Sequence, residues 1–182
     1  MEISFALVLF PDKALLENIN ELRKDLYNKY GIRNPAKYNK VPPHISLIFK
    51  DSKISESDFL LIRRQLKRNL SYFKPFKIKV NGIGLFVEHS KSRTGYLYLK
   101  IRNSKELEML FKIASDVVKE TTGTMQGVFV PHITIVRSND NRKIQHIAKE
   151  YRDIKFVKEF LVEGLFVGTQ DNPTAKWKFA YL

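Results

Sequence analysis

One short pattern occurs twice in this chain of 182 residues, and it constrains the fold more than any other feature. The first copy covers residues 41–48 (VPPHISLI) and the second covers residues 130–136 (VPHITIV). In each copy a proline precedes a histidine, which is followed by a β-branched residue, a hydroxyl residue and an apolar run. β-Branched residues favour strands, and proline is tolerated where a strand begins. We therefore predict that each copy starts a β-strand.

Side chains in a strand point alternately to the two faces of a sheet, so residues two positions apart share a face. His44 then lies beside Ser46, and His132 lies beside Thr134. A single H-x-[ST] triplet is a weak signal, because a histidine on a strand is most often structural. Two copies, 88 residues apart and with the same flanking residues, favour a functional pair.

Composition narrows the chemistry that the chain can perform. The absence of cysteine excludes disulfides, thiol nucleophiles and cysteine-ligated zinc. Lys and Arg number 32 against 19 Asp and Glu, and a net charge of +13 suits a polyanionic partner, although lysine also serves solubility alone. The chain lacks a secretory signal and an apolar run of membrane-spanning length, so we expect a soluble, cytoplasmic protein that does not act at a membrane.

Hydrophobic periodicity predicts the remaining elements. The first half is predicted to contain a strand at residues 3–10, a helix at 13–30, the first histidine strand, a helix starting near Ser55 and a strand at 76–87. The second half is predicted to contain a strand at 96–101, a helix from Ser104 to about residue 122, the second histidine strand, a helix from Asp140 to Tyr151 and strands at 156–167 and 176–182. Gly31 and Gly123 stand where left-handed helix caps belong, and Gly82 and Gly84 indicate a bulge or a close backbone approach.

Each half thus reads strand, helix, histidine strand, helix, strand. The first strands of the halves start at Ile3 and Gly95, which are 92 residues apart, close to the spacing of the histidines. We predict one domain made of a duplicated βαβαβ unit, with units at roughly residues 1–90 and 94–182. A pseudo-twofold axis between the units would bring His44 and His132 together across one cleft.

The paired motifs resemble the H-x-[ST]-h motifs of the 2H phosphoesterase superfamily, which includes bacterial 2′-5′ RNA ligase-like proteins and 2′,3′-cyclic nucleotide phosphodiesterases. The likeness extends to residues 82–86 (GIGLF), similar to a glycine-and-phenylalanine strand of the family, and to Arg137 after the second motif. Ser46 stands where threonine is commoner, but serine keeps the hydroxyl. The resemblance implies an α+β fold with two pseudo-twofold-related lobes, each an antiparallel sheet with flanking helices, around a central cleft. It also implies chemistry on an RNA-type phosphodiester that needs no metal or other cofactor.

The residues themselves fit this chemistry. Opening a 2′,3′-cyclic phosphate needs a base that deprotonates water and an acid that protonates the departing ribose oxygen. His44 and His132 suit both roles, since imidazole has a pKa near 6.5. The hydroxyls of Ser46 and Thr134 can donate to the non-bridging phosphate oxygens. The near-symmetric motifs leave open which histidine is the base.

Four other residues are weaker candidates. Phe86 and Tyr98 could stack a nucleobase, although aromatic residues on strands more often belong to the core. Arg137 and Lys50 could contact phosphate, or could simply end their strands in solvent.

A metal site is a further alternative. A site built on His44 and His132 lacks the H-x-H or H-E-x-x-H spacing of common metal sites, and an unmarked Asp or Glu would have to supply the third ligand. His89 in a polar loop and His146 on a solvent-facing helix are interpreted as surface residues.

Three functions remain in competition. The first is a hydrolase of the 2H type that acts on RNA ends or on 2′-5′ linkages, in the direction of hydrolysis or ligation. The second is a non-catalytic RNA-binding module, and the third is a hydrolase of a small cyclic phosphodiester. Two intact motifs favour an enzyme, because binding alone does not need both imidazoles. We expect a monomer without an obligate protein partner.

Overall fold

The structure is a computed structural model that describes residues 2–32, 42–87, 94–124, 127–152, 157–162, 164–171 and 176–182. Four helices lie within these ranges: α1 (Lys13–Tyr30), α2 (Glu56–Asn69), α3 (Lys105–Thr122) and α4 (Asn141–Glu150). The strands are β1 (Glu2–Leu9), β2 (Ile45–Ser55), β3 (Phe76–Val87), β4 (Gly95–Ile101), β5 (His132–Ser138), β6 (Val157–Val162), β7 (Phe166–Gln170) and β8 (Lys178–Tyr181). None of the described helices combines the length and the apolar character that a bilayer crossing requires.

The ends of α1 and α3 follow from their capping residues. Asp12 accepts a hydrogen bond of 2.8 Å from an amide in the first turn of α1, and Ser104 accepts one of 3.3 Å in α3. Gly31 (φ 59°) and Gly123 (φ 69°) adopt the left-handed conformation that ends a helix. The predictions for both helices are confirmed. N-caps and C-caps are each 92 residues apart, so α1 and α3 correspond position by position.

The eight strands form one antiparallel sheet in the order β6-β3-β4-β5-β2-β1-β7-β8. A single residue pair, Ile45 with Ile133, joins β2 to β5, while the pairings on either side are longer. We call β2-β1-β7-β8 the His44 half-sheet and β6-β3-β4-β5 the His132 half-sheet. The predicted α+β class with antiparallel pairing is confirmed.

The connection between β6 and β7 requires the sheet to bend. Val162 and Phe166 are four Cα steps apart, which span at most about 15 Å. In a flat sheet their strands, six positions apart in the order, would be separated by about 29 Å. The outer strands must therefore approach each other, and the sheet acquires a concave face.

The prediction of one strand over residues 156–167 was wrong. The chain forms β6 and β7 there, and these strands belong to different half-sheets. Gly164 lies between them, and a side chain at this position would collide with the ring of Tyr181. Apolar residues on both sides of Gly164 hide this break, because Phe160 and Val162 of β6 are buried, as is Val167 of β7. Residues 156 and 163 lie outside the described residues.

The two halves of the chain interlock. β3 pairs with β4 and β6, whereas β7 pairs with β1 and β8. The long helix of each half also packs against the histidine strand of the other half, α1 against β5 and α3 against β2. The boundary between duplicated units near residue 90 stays a prediction.

Candidate active site

Both motif histidines are held by the same hydrogen bond. Nδ1 of His44 lies 2.7 Å from the carbonyl oxygen of Pro42, and Nδ1 of His132 lies 2.8 Å from that of Val130. A carbonyl oxygen can only accept, so each Nδ1 carries a hydrogen and each Nε2 is left for other partners. The proline between the two residues explains the geometry, because it fixes its own φ and keeps the preceding residue extended.

The residue pair between β2 and β5 brings the four motif side chains together. In this antiparallel register His44 lies across from Thr134, and Ser46 lies across from His132. Such opposite residues are about 4.5–5.5 Å apart, and the diagonal histidines are about 7–8 Å apart. All four side chains are partly exposed on one face, while the intervening residues are buried.

A β-bulge follows each hydroxyl residue. The pairing of β1 with β2 skips Leu47, the residue after Ser46. The pairing of β4 with β5 skips Ile135, the residue after Thr134. A bulge increases the local twist and changes where the neighbouring side chains point. The motifs therefore share a backbone irregularity as well as their residue types.

Sequence reasoning missed Arg23, which lies on the buried face of α1 and is 5% exposed. Its Nε donates to the carbonyl oxygen of Ile135 and its Nη2 to that of Thr134, both at 2.8 Å. Burial lowers the pKa of Arg23 to about 10. Among the described residues no carboxylate forms an ion pair with this guanidinium. An arginine on an apolar helix stripe was the signal available in the sequence.

Ser115 is the counterpart of Arg23, because α1 and α3 are offset by 92 residues. It lies on the helix that packs against β2, the strand of the first motif. Its Oγ is buried and has no hydrogen-bond partner within the described part of the chain. A buried cation thus holds the His132 motif, and a serine occupies the corresponding place near the His44 motif.

The surroundings of His44 favour its neutral form. Burial is the largest influence and lowers the pKa of His44, while the hydrogen bond to Pro42 opposes it. The charges of His132 and Arg23 lower this pKa further. A neutral imidazole near pH 7 is suited to accept a proton.

Phe86 and Tyr98 pack around His132. Their rings stack at 4.1 Å between centroids, and the imidazole meets them edge-on at 5.1 and 5.4 Å. Gly84 lies opposite Tyr98, and a Cβ there would lie 2.6 Å from Cε2 and Oη of that ring. The glycine of the GIGLF segment therefore makes room for the tyrosine. Base stacking by Phe86 and Tyr98 stays a prediction, and these contacts give both residues a role in positioning His132.

Two cations lie on the same face of the His132 half-sheet. Arg137 pairs with Tyr96, and its guanidinium carbon is 5.3 Å from the centre of that ring. Lys100, which sequence reasoning did not single out, lies directly opposite His132. Both cations are exposed.

The His44 half-sheet instead carries aromatic residues that sequence reasoning also missed. The Phe10 ring lies 6.4 Å from that of His44 and 5.0 Å from that of Phe166. Further along β2, Phe49 is 47% exposed, and its ring lies 5.7 Å from that of Trp177.

The remaining candidates lie elsewhere. His146 is exposed on α4, with Nε2 3.9 Å from Glu150, which agrees with its interpretation as a surface residue. His89 and the side chain of Lys50 fall outside the described residues. Within the described ranges, no three His, Asp or Glu side chains come together in a group that could hold a metal ion.

A family model places the chain among known proteins. The model of the 2′-5′ RNA ligase superfamily matches residues 10–174. The chain belongs to this superfamily. A Staphylococcus epidermidis protein named as a phosphoesterase is 25% identical over 171 residues, which cover 94% of this chain and 92% of that protein. A Geobacillus kaustophilus protein of the same name is 29% identical over 135 residues, covering 74% and 69%. The resemblance inferred from the paired motifs is confirmed.

The fold of this family member is similar to that of LigT from E. coli. The crystal structure of LigT complexed with 3′-AMP superposes with a TM-score of 0.67 at 14% identity, covering 100% of this chain and 96% of that one. LigT has also been crystallised with ATP, NADP+ and phosphate. At this identity the likeness establishes a shared fold.

Proposed function

We propose that this chain is a phosphoesterase that opens 2′,3′-cyclic phosphate ends of RNA or nucleotides, with His44 as base and His132 as acid. The observation that carries the proposal is the arrangement of two imidazoles and two hydroxyls on one face of the sheet, where β2 meets β5. Each imidazole has its Nδ1 engaged by a carbonyl, which leaves Nε2 for a proton transfer. The same site could act on 2′-5′ linkages, since these also join a ribose 2′-oxygen to phosphorus, with the 5′-oxygen of the next nucleotide as the leaving group.

The proposed step balances within the site. Nε2 of His44 takes a proton from water as the water oxygen attacks phosphorus. The bond from phosphorus to one ribose oxygen breaks, and protonated His132 gives its Nε2 proton to that oxygen. Ser46 and Thr134 donate to the non-bridging oxygens as negative charge develops. The product is a ribose phosphomonoester, and solvent returns the histidines to their starting protonation states.

The surroundings of His44 support its assignment as the base and that of His132 as the acid. Burial and the nearby positive charge of Arg23 both lower the pKa of His44, so this imidazole is neutral and ready to accept a proton. A concerted step then needs the other histidine in its charged form. The assignment is ours and follows from the unequal surroundings of two equal motifs.

We also propose that the half-sheets reflect a duplicated βαβαβ unit with a pseudo-twofold axis between β2 and β5. Two long helices of 18 residues with matching caps support this origin. The bulge after each hydroxyl residue supports it as well. The cleft between the resulting lobes would hold the phosphodiester.

The comparisons support a nucleotide substrate. Relatives are named as phosphoesterases, and LigT was crystallised with 3′-AMP, ATP and NADP+. A net charge of +13 suits RNA, which is the substrate and partner that we propose.

The test is a panel of 2′,3′-cyclic, 2′,5′-linked and 3′,5′-linked substrates assayed in EDTA. We expect turnover of the cyclic phosphate in the chelator, because the histidines and hydroxyls supply every role in the step. Loss of activity that one divalent metal restores would refute the metal-independent mechanism. His44→Ala and His132→Ala should each lower kcat/KM by about 10²–10⁴-fold, and the double variant should be little worse.

His146→Ala is the matched control, because this histidine is exposed on α4 and should be dispensable. A folded His44→Ala variant with wild-type kcat/KM would refute the two-histidine mechanism. An RNA-binding module would be favoured if the wild type showed no turnover and both alanine variants kept its affinity for RNA.

A further inference from the structure

A cavity lies away from the active site, where the chain crosses between the two half-sheets. Its volume is about 380 Å³, which is within the usual range of small-molecule sites. One wall is the end of α2, which packs on β1 and β2 and leads to β3 of the other half-sheet. The other wall is the connection between β6 and β7 together with the end of β8. We call this space the α2–β8 cavity.

Both walls are fixed by contacts of their own. On the α2 side, the amide of Phe73 donates to the carbonyl oxygen of Leu70 at 3.0 Å, and the Phe73 ring meets that of Phe76 edge-on at 5.8 Å. On the other side, the amide of Leu182 donates to the carbonyl oxygen of Leu165 at 3.0 Å. The cavity is therefore preformed, and a ligand would not have to order its walls on binding.

The surface of the cavity is mostly apolar. Leu70 and Leu165 are buried and form its base, while Tyr181 lies at the rim and is 61% exposed. The Tyr181 ring lies over Gly164, where a Cβ would collide with it, and meets the ring of Phe166 edge-on at 5.5 Å. An apolar base with an aromatic rim suits a hydrophobic ligand body better than a ribose.

The polar side of the cavity is positive. Lys67 lines it, and the exposed residues Arg63 and Arg64 lie about one turn earlier on the same helix. Within the described ranges no carboxylate forms an ion pair with Lys67, and the acidic residues of α2 are in its first turn. The Ser71 hydroxyl donates to the carbonyl oxygen of Arg68 at 2.8 Å, which leaves Lys67 as the group that can bind an anion.

We propose that the α2–β8 cavity binds an organic carboxylate with a compact apolar body. The carboxylate would pair with Lys67, and the body would lie between Phe73, Leu165 and Tyr181. One cation at an apolar cavity favours a monoanion over a polyphosphate. This site is separate from the junction of β2 and β5, and it does not depend on the proposed activity. Because its walls are segments that cross between the half-sheets, a bound ligand would hold these segments together and stabilise the folded chain.

Isothermal titration calorimetry with 4-phenylbutyrate and its neutral amide, 4-phenylbutanamide, separates the charge from the apolar body. We expect the carboxylate to bind the wild type with a Kd of about 1 mM or tighter, and the amide to bind several-fold more weakly. Lys67→Met should weaken the carboxylate several-fold and make the two ligands equal. Ser71→Trp places a large ring in the cavity and should weaken both ligands at least about tenfold.

Lys112→Met is the matched control, because Lys112 is an exposed lysine of α3 that does not line the cavity. It should bind both ligands as the wild type does. Lys67 is in the last turn of α2, where a cation also complements the helix dipole. If that were its only role, Lys67→Met would lower the urea midpoint and leave the Kd of the carboxylate unchanged, which would refute the proposed site.

Urea unfolding gives a second measurement of binding. 4-Phenylbutyrate at about 10 mM should raise the urea midpoint of the wild type, and this rise should be lost in Ser71→Trp. Unchanged binding in a folded Ser71→Trp variant would place the ligand elsewhere and overturn the proposal. Absence of both heat and a midpoint shift in the wild type would also overturn it. The comparison of Lys67→Met with Lys112→Met decides the question even if the tryptophan variant does not fold.

Discussion

Replacing Arg23 tests how the second motif is held. The guanidinium makes two hydrogen bonds of 2.8 Å to the carbonyl oxygens of Thr134 and Ile135, which belong to the peptide groups on either side of the bulged residue Ile135. Hydrogen bonds to a charged group contribute about 1.5–3 kcal/mol each, hence about 3–6 kcal/mol together. The pKa of Arg23 falls from its ordinary value to about 10, so burial of the charge costs about 3 kcal/mol.

These magnitudes predict an unusual order of stabilities. Arg23→Met loses both hydrogen bonds and also removes the buried charge, so the net destabilisation should be about 0–3 kcal/mol. Arg23→Lys keeps the charge on a more strongly hydrated ammonium and loses the planar fork, so it should cost about 2–4 kcal/mol. The chemically conservative change is expected to be at least as harmful as the apolar one.

Urea unfolding followed by circular dichroism measures both free energies of unfolding, and equal m-values would show that the denatured state is unchanged. Ser115→Ala is the control at the corresponding place in α3, and it should be neutral, because the hydroxyl has no partner among the described residues. If Arg23→Lys had wild-type stability, the two hydrogen bonds of the planar guanidinium could not be what holds the second motif. A loss of more than about 5 kcal/mol in Arg23→Met would refute our estimate of the burial cost.

Two further predictions concern the histidines. Gly84→Ala places a Cβ against Cζ of Tyr98 and 2.6 Å from its Cε2, about 1 Å inside normal contact, so the ring must shift against His132. We expect about 1–3 kcal/mol of destabilisation in urea and about a 10²-fold loss of kcat, and Gly127→Ala, which meets no atom within 4 Å, should show neither. The second prediction follows from the lowered pKa of His44. As the pH drops, His44 binds a proton in the unfolded chain before it does in the folded chain. The contribution of His44 to the free energy of unfolding is therefore constant above about pH 6.5 and falls as the pH drops below it. His44→Gln should reduce that fall between pH 7 and pH 5, measured by urea midpoints, and a loss identical to that of the wild type would contradict the lowered pKa.

Local patterns in the sequence predicted the helices and the four motif residues. Caps such as Asp12 and Gly31 act within one turn, so their effect can be read from neighbouring residues. The shared face of each histidine and its hydroxyl residue followed from period-two alternation along the strand.

Long-range pairings account for what the sequence patterns did not predict. The apolar residues around Gly164 look alike in β6 and β7, and only their partners β3 and β1 distinguish the two strands. Arg23 reaches residues more than a hundred positions away, and the pairing of β7 with β1 and β8 brings Trp177 beside Phe49. Contacts of this kind depend on sheet order, which periodicity does not report.

Acid–base catalysis by two histidines needs one imidazole neutral and the other protonated in the same state. The duplication supplies matching geometry, with a carbonyl on each Nδ1 and a bulge after each hydroxyl. The departures from symmetry lie around the motifs, where Arg23 corresponds to Ser115 and Arg137 corresponds to Phe49. Burial is the main cause of the lowered pKa of His44, and the charge of Arg23 lowers it further. The second departure places a cation in one half-sheet and an aromatic ring in the other. If the two histidines take different roles in the reaction, the burial of His44 and these pairs of unequal residues both contribute to that difference, and exchanging the paired residues should weaken it.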